Sequence, residues 1–286
     1  MLVAALSLSV IGLSTLEGYI SDIKRMLTEP KPVVAVLPAY STLALGLSVG
    51  RLKNGKSFQD TYASYIADGA EWNNEYLDLH GHLSKKLQIY LATGTLIEKE
   101  EDRSYQTVYC FNPDGQVCCV QRQTHLTRFE RDLQLSRGEK LDLFQIGDFC
   151  TGLLVGNDAR HPEVGRIMAL QGADLLLHSG AIEGDQTCWQ QAAAMWAQVQ
   201  QNQFFAIEAQ LSATVSGTSF GAALAVIAPC EITVGNTGYL TRGNADSPLV
   251  CAELNKEALN KIRTGNPLLK LLNPDAYTKI CGSEPW

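Results

Sequence analysis

The sequence predicts a layered α/β fold with a mixed sheet, on three observations. Strand-like and helix-like runs alternate along most of the chain, the pattern of β-α-β units with parallel pairing. The turn signal "NPDG" at 112–115 separates two β-rich runs and adds an antiparallel hairpin. No internal repeat or low-complexity segment points instead to a solenoid or a disordered chain.

The elements follow in order. Residues 2–10 alternate as a strand, and Leu16, Tyr19, Ile20, Ile23 and Leu27 then share one helical face, with Ser14 and Glu17 spaced as a capping box. "KPVVAVLP" (31–38) reads as a buried strand ending at Pro38, 57–70 and 71–88 as helices, and 89–96 as the next strand. Residues 104–111 and 116–122 flank the hairpin turn. After a strand at 149–155, "PEVGRIMALQG" reads as a helix that opens at Pro162 and closes at Gly172, because proline suits the first helical turn and glycine the stop. A strand at 173–178, a long helix at 186–203 and strands at 204–210 and 220–228 complete the pattern. Residues 241–286 weaken into a polar, Pro- and Gly-punctuated C-terminal arm.

Composition narrows the class. At 286 residues, 45% hydrophobic and 19% charged, the chain can bury a sizeable core. A net charge of −7 argues against a nucleic-acid or anionic-membrane surface, either of which needs clustered Lys and Arg. No stretch approaches the ~18 uninterrupted apolar residues of a membrane span. The apolar opening lacks a basic leader and a small-residue cleavage site, so it reads as a strand rather than a signal peptide. Eight cysteines without a C-x-x-C pair suit reduced thiols in a cytoplasmic protein. "GNTG" and "GTSFG" lack phosphate-loop or dinucleotide spacing, and no cofactor is expected.

The informative stretch is "VGNDARHPE" (155–163), a strand turning sharply into a helix with Gly156 at the corner. Such corners carry the reactive Ser or Cys of many hydrolases. Together with "VVAVLPAY", "GQVCCVQRQTHLTRFERD" and the continuation through Gly172-Ala173-Asp174, it resembles the carbon-nitrogen hydrolase (nitrilase) superfamily over almost the whole chain. The resemblance implies an αββα sandwich in a single domain over 1–286, commonly paired as a dimer through helical faces. It also implies a Glu base, a Lys that stabilises the oxyanion, a Cys nucleophile and a second supporting Glu.

Three of those four positions are changed here. The base position after Pro38 is Ala39, the lysine position is Gln123, and the nucleophile position is Gly156; the second glutamate survives as Glu130. A thiol with a pKa of about 8.5 needs a base, and a tetrahedral intermediate needs a cationic or N–H-rich partner. Loss of a nucleophile in a comparable covalent hydrolase costs on the order of a millionfold in rate. The expectation is therefore a catalytically inactive member, a pseudoenzyme with an amidase-like frame serving as a binding, regulatory or assembly subunit. Its vestigial pocket suits a small neutral ligand. Its partner is a second copy or an active relative, with neither nucleic acid nor membrane.

The alternative is a hydrolase of small amides or nitriles that uses other groups, with Cys188 as displaced nucleophile and His161 or His178 as base. Asp158, Arg160 and Glu163 fall where the family braces the corner. Glu130, without its lysine, is expected to be solvated, paired with Arg128 or Arg160, or raised in pKa by burial. His80 and His82 lie two apart on a helix and so face different ways; they read as a solvated face, not a metal site. Trp189 and Trp196, seven apart, read as core or oligomer contact.

Overall fold

Four successive residues of strand β1 (Leu2–Leu6), Val3 to Leu6, belong alternately to two different cores. Ala4 and Leu6 pack with helices, whereas Val3 and Ala5 pack against a second sheet, as the two-residue period of a strand requires. The computed structural model describes residues 1–8, 14–184, 188–244 and 246–275. Parts of the expected elements at 9–10, 186–187 and 276–286, with Cys281, lie outside the described residues.

One six-stranded sheet has β1 and β2 (Val34–Val36) parallel to β3 (Tyr90–Glu100). The antiparallel hairpin of β4 (Arg103–Phe111) and β5 (Val117–Arg122) extends it. Helices α1 (Leu16–Thr28), α2 (Ser41–Ser48), α3 (Phe58–Asp68) and α4 (Ala70–Leu87) cover its outer face. The short α5 (Arg128–Asp132) follows β5.

The second six-stranded sheet is built the same way. Strand β6 (Leu143–Ile146) pairs antiparallel with β7 (Phe149–Val155), and β7 lies parallel to β8 (Leu175–Gly180). Its outer face is covered by α6 (Pro162–Leu170), by α8 (Ala197–Asn202) and by Ala194 and Met195 in the segment that joins α8 to α7 (Cys188–Gln191). Strand β8 is in turn parallel to β9 (Phe205–Gln210), while β10 (Ser212–Val215) and β11 (Thr218–Gly221) form a separate ribbon. Strands β12 (Ala225–Ile227) and β13 (Tyr239–Arg242) complete the second sheet. Val3, Val36 and Val108 from one sheet pack with Leu153, Leu177 and Ile207 from the other, so the layers run α, β, β, α.

Several expectations need correction. Helix α1 is capped by Thr15, whose hydroxyl accepts from Gly18 N at 3.0 Å, one residue later than the Ser14 box. Helix α2 has no polar stripe and is almost wholly buried, so the period that marks an amphipathic helix is missing from its sequence. The long helix at 186–203 is interrupted between α7 and α8, where Ala194 has non-helical angles (φ −102°, ψ −109°). The strand expected at 220–228 is divided between β11 and β12, which belong to different sheets.

The C-terminal arm expected over 241–286 is, in part, framework. Strand β14 (Leu249–Glu253) pairs antiparallel with β1 from Leu2↔Glu253 to Leu6↔Leu249. Helix α9 (Lys256–Gly265) then places Arg263 on Asp174 at 2.7 Å and on the carbonyl oxygen of Ala173 at 2.6 Å. Polar composition hid these elements because an edge strand and a surface helix need only one apolar face.

His80 is not on a solvated face. It is fully buried, and its Nδ1–H donates to Tyr76 O while Nε2 accepts from the Tyr19 hydroxyl, both at 2.7 Å. Burial pulls its pKa down to about 4. His82 is exposed. Trp189 is 81% exposed, and the Trp196 indole N–H donates to Thr237 O. Seven cysteines are free among the described residues.

Candidate functional site

The parallel strands of both sheets end at one place, where open α/β sheets mount their sites. The sheets are tied together there: Ala39 N donates to Gly180 O at 3.1 Å and Ser179 Oγ to Leu37 O at 2.8 Å. A cavity of about 340 Å³ opens beside these strand ends, lined by Ala39, Glu130, Gly156, Arg160, His178 and aromatic rings among others.

Two glycines make the close approach possible. Gly94, at φ +71°, passes so near Pro38 that a β-carbon would meet its carbonyl oxygen at 2.2 Å. Gly156 sits at φ +51°, so the corner keeps the left-handed backbone that L side chains rarely adopt. Tyr40 also takes a left-handed conformation (φ 58°), unusual for a bulky residue; its N–H donates to Thr95 Oγ1 at 2.8 Å.

Gln123 stands directly behind Gly156. A β-carbon on Gly156 would lie 2.6 Å from Gln123 Oε1 and 3.0 Å from Gln106 Nε2. These amides belong to a directed chain: the Tyr62 hydroxyl donates to Gln106 Oε1 (2.5 Å), Gln106 Nε2 to Gln123 Oε1 (2.6 Å), and Gln123 Nε2 to Glu130 Oε2 (2.7 Å). Gln123 Nε2 also donates to His125 O at 2.9 Å. The space beside the corner is therefore occupied by a hydrogen-bonded amide pair.

Glu130 takes the third of its expected fates. It is 2% exposed, and desolvation is the main influence raising its pKa above the ordinary carboxylate value. Its partners are Gln123 and, at 2.6 Å, the N–H of Thr127, within a complete capping box on α5. Arg128 lies out in solvent beside Asp132, and Arg160 donates to Gln190 Oε1 at 3.1 Å, so neither pairs with Glu130.

The residues that follow the corner divide in two. Asp158 is fully buried and its carboxylate accepts from Thr124 N (3.0 Å), Thr124 Oγ1 (2.9 Å) and His125 N (2.7 Å), joining the turn at 156–160 to the segment after β5. Arg160 and Glu163 are exposed. Glu163 Oε1 lies 3.2 Å from His125 Nε2 and 3.7 Å from His161 Nδ1, and the two imidazoles stack at 4.1 Å. Ligand-type atoms of this trio lie within 4.8 Å of one another, a grouping not singled out from the sequence. Asn157 Nδ2 is 3.0 Å from His161 Nε2 and donates to His125 O, which makes Nε2 the acceptor and puts the imidazole proton on Nδ1, toward Glu163. His161 is thus held in one tautomer by Asn157, while Glu163 stands near both imidazoles without a hydrogen bond to His161.

Cys188 is exposed and does not line the cavity. His178 does line it, but its Nε2–H donates to Gly156 O at 3.1 Å, and Nδ1 lies 3.4 Å from Glu208 Oε1 without hydrogen-bond alignment. The fully buried Glu208 accepts from Gln191 Nε2 and Gln210 Nε2, each at 2.7 Å. Sequence reading missed Gln106, Tyr62, Glu208 and Gln210. Period-two alternation puts Gln106 on one face of β4 and Glu208 and Gln210 on one face of β9, and Tyr62 lies on the buried side of α3, but nothing local marks them as partners.

Comparison with known proteins agrees with this frame. A carbon-nitrogen hydrolase family profile matches residues 12–262. The omega-amidase NIT2 of Danio rerio is 24% identical over 234 residues, covering 78% of this chain and 80% of that protein. The Mus musculus omega-amidase NIT2 is 25% identical over 206 residues, covering 68% and 72%. Among solved structures, the carbon-nitrogen hydrolase of Helicobacter pylori G27 superposes with a TM-score of 0.78 at 20% identity, covering 98% and 97% of the two chains. An amidase from Nesterenkonia sp. AN1, in a mutant form with acrylamide added at its active site cysteine, gives 0.73 at 18% identity, covering 93% and 97%.

Proposed function

The chain belongs to the carbon-nitrogen hydrolase family, and on that premise we propose that it binds a small molecule in the family's cavity without cleaving it, as a catalytically silent binding or regulatory subunit. The observation that carries this reading is the Gly156 corner. No side chain projects from it, and the Gln123 amide oxygen fills the adjoining space. Among the described residues no cysteine lines the cavity. An amide nitrogen in the lysine position has no formal charge for an oxyanion, and Ala39 has no base to offer.

The test is a turnover assay over a panel of small amides and nitriles, run beside a variant carrying Ala39→Glu, Gln123→Lys and Gly156→Cys. The expected result is no turnover by the unmodified chain. Hydrolysis by the unmodified chain at ordinary enzyme rates would end the proposal.

A second reading, hydrolysis of small amides by groups foreign to the family, draws on the amidase relatives and on His178 with its buried Glu208. It is weakened by the commitment of the His178 Nε2–H to a backbone carbonyl. The same assay decides it. Pairing with a second copy or an active relative is part of the first reading, supported by the exposed Ile167 and Leu170 on α6.

A further inference from the structure

Where the resemblance implies a lysine beside the glutamate, Gln123 offers Glu130 an uncharged amide. Among the described residues, Glu130 is buried with no bond to a basic side chain, and its carboxylate partners are an amide and a backbone N–H. Both of those bonds fall on Oε2. Oε1 takes no hydrogen bond among the described residues, on a side chain that lines the cavity. A buried carboxylate with an unused oxygen is stabilised either by taking up a proton, the direction in which its raised pKa points, or by a bound counter-charge.

The rest of that end of the cavity has the matching character. Tyr40, Phe58 and Phe220 lie edge to face or tilted, with centroids 5.3 to 5.7 Å apart, and Phe129 sits 5.5 Å from Phe58. All four line the cavity. Ring faces carry negative quadrupole potential and attract cations. A second carboxylate, Glu183, itself exposed to solvent, lines the same space. Burial first, then Glu130 and Glu183, pushes the Tyr40 hydroxyl pKa up, which places both carboxylates within the field of that group. The basic lining residue Arg160 is exposed and already bonded to Gln190.

We propose that the cavity takes a small organic cation, an alkylammonium with a short apolar body, its charge set against Glu130 and Glu183 and its carbon surface on the rings of Tyr40, Phe58, Phe129 and Phe220. The ligand then supplies the positive charge that the protein lacks. An anion meets two carboxylates, and a neutral molecule, the ligand expected from sequence, leaves Glu130 without a counter-charge. The inference rests on reading the cavity as a binding site and does not depend on the absence of turnover.

The test is calorimetric titration of the purified full chain with n-butylammonium and tetramethylammonium, with 1-butanol as the neutral isostere and butyrate as the anion. The expected result is that at least one ammonium binds about tenfold more tightly than 1-butanol, with butyrate weakest. Glu130→Gln should lower ammonium affinity by about tenfold while leaving 1-butanol unchanged, with circular dichroism reporting the fold. Phe58→Leu, which keeps apolar volume but removes a ring face, should weaken only the ammonium, by several-fold. If Glu130→Gln does not fold, the probe comparison and Phe58→Leu still decide. Equal binding of 1-butanol and the ammonium ions, no ammonium binding, or unchanged ammonium affinity in Glu130→Gln would overturn the proposal. Ammonium binding with amide turnover would sink catalytic silence and leave this inference standing; neither binding nor turnover would do the reverse.

Discussion

The side-chain oxygen of Gln123 lies 2.6 Å from the point that a β-carbon on Gly156 would occupy. The two positions are therefore coupled: a side chain at 156 and the amide at 123 exclude each other. A coupling of this kind has consequences for stability as well as for chemistry.

Gly156→Ala alone should destabilise the fold by about 1–3 kcal/mol, through the left-handed backbone and the contact with Gln123. Combining it with Gln123→Ala should restore part of that loss, the non-additivity expected of residues in contact. Urea denaturation of the two single variants and the double variant measures the coupling. Simple additivity would mean that the loop relaxes and the contact is unimportant.

Gly94→Ala should be at least as costly, about 2 kcal/mol or more, because the obstacle is the backbone carbonyl of Pro38 rather than a movable side chain. A thermal melt indistinguishable from that of the unmodified chain would contradict the close approach.

Asp158→Ala should cost about 3 kcal/mol or more, since the buried carboxylate accepts from two backbone N–H groups and a hydroxyl. Chemical denaturation provides the measure. A loss below about 1 kcal/mol would show that water replaces the carboxylate readily.

His80 gives the protein a pH dependence of definite sign. Its folded pKa is about 4 against an ordinary 6.5, so the unfolded chain binds the proton more tightly. Its contribution is fully present above pH 6.5 and is lost as the pH falls toward 4, by about 3 kcal/mol in all. Urea midpoints between pH 7.5 and 4 should fall, and His80→Gln should flatten that part of the profile. An unchanged slope in the variant would assign it to other groups.

If two copies pair through α6, Leu170→Arg should shift sedimentation toward the monomer without altering the far-ultraviolet dichroism. Leu170 is 58% exposed and Ile167 is 43% exposed, so the change costs the single chain little. An unmodified chain that is already monomeric, or a variant that sediments like it, would remove this face from the assembly.

The fold was legible where one rule sufficed. Strand alternation, the hairpin at "NPDG" and the opening of α6 at Pro162 each rest on local backbone chemistry; the hairpin and the helix start fall within a residue or so of their expected places, whereas β1 ends four residues early and β3 runs four residues longer. Helix α2 was illegible because burial on all sides erases amphipathic period, and β14 because its partner lies at the other end of the chain. The motifs single out Ala39, Gln123 and Gly156, and the structure puts Ala39 and Gly156 on one cavity with Gln123 beside the corner. The way Gln106 and Gln123 share the space beside the corner was not, because it depends on a contact across 17 positions between neighbouring strands.

The pairing of residues 2–6 with 249–253 also sets a timetable. At ribosomal speeds of roughly 5–20 residues per second, the outer rim of the first strand emerges about ten to fifty seconds before its mate is translated. During that interval a nascent chain presents an uncovered β-edge to whatever is nearby, a standing invitation to illegitimate pairing. Newly made protein should therefore be more prone to clump than the finished molecule, and to rely on chaperones that shield open strands until residues 249–253 have been translated.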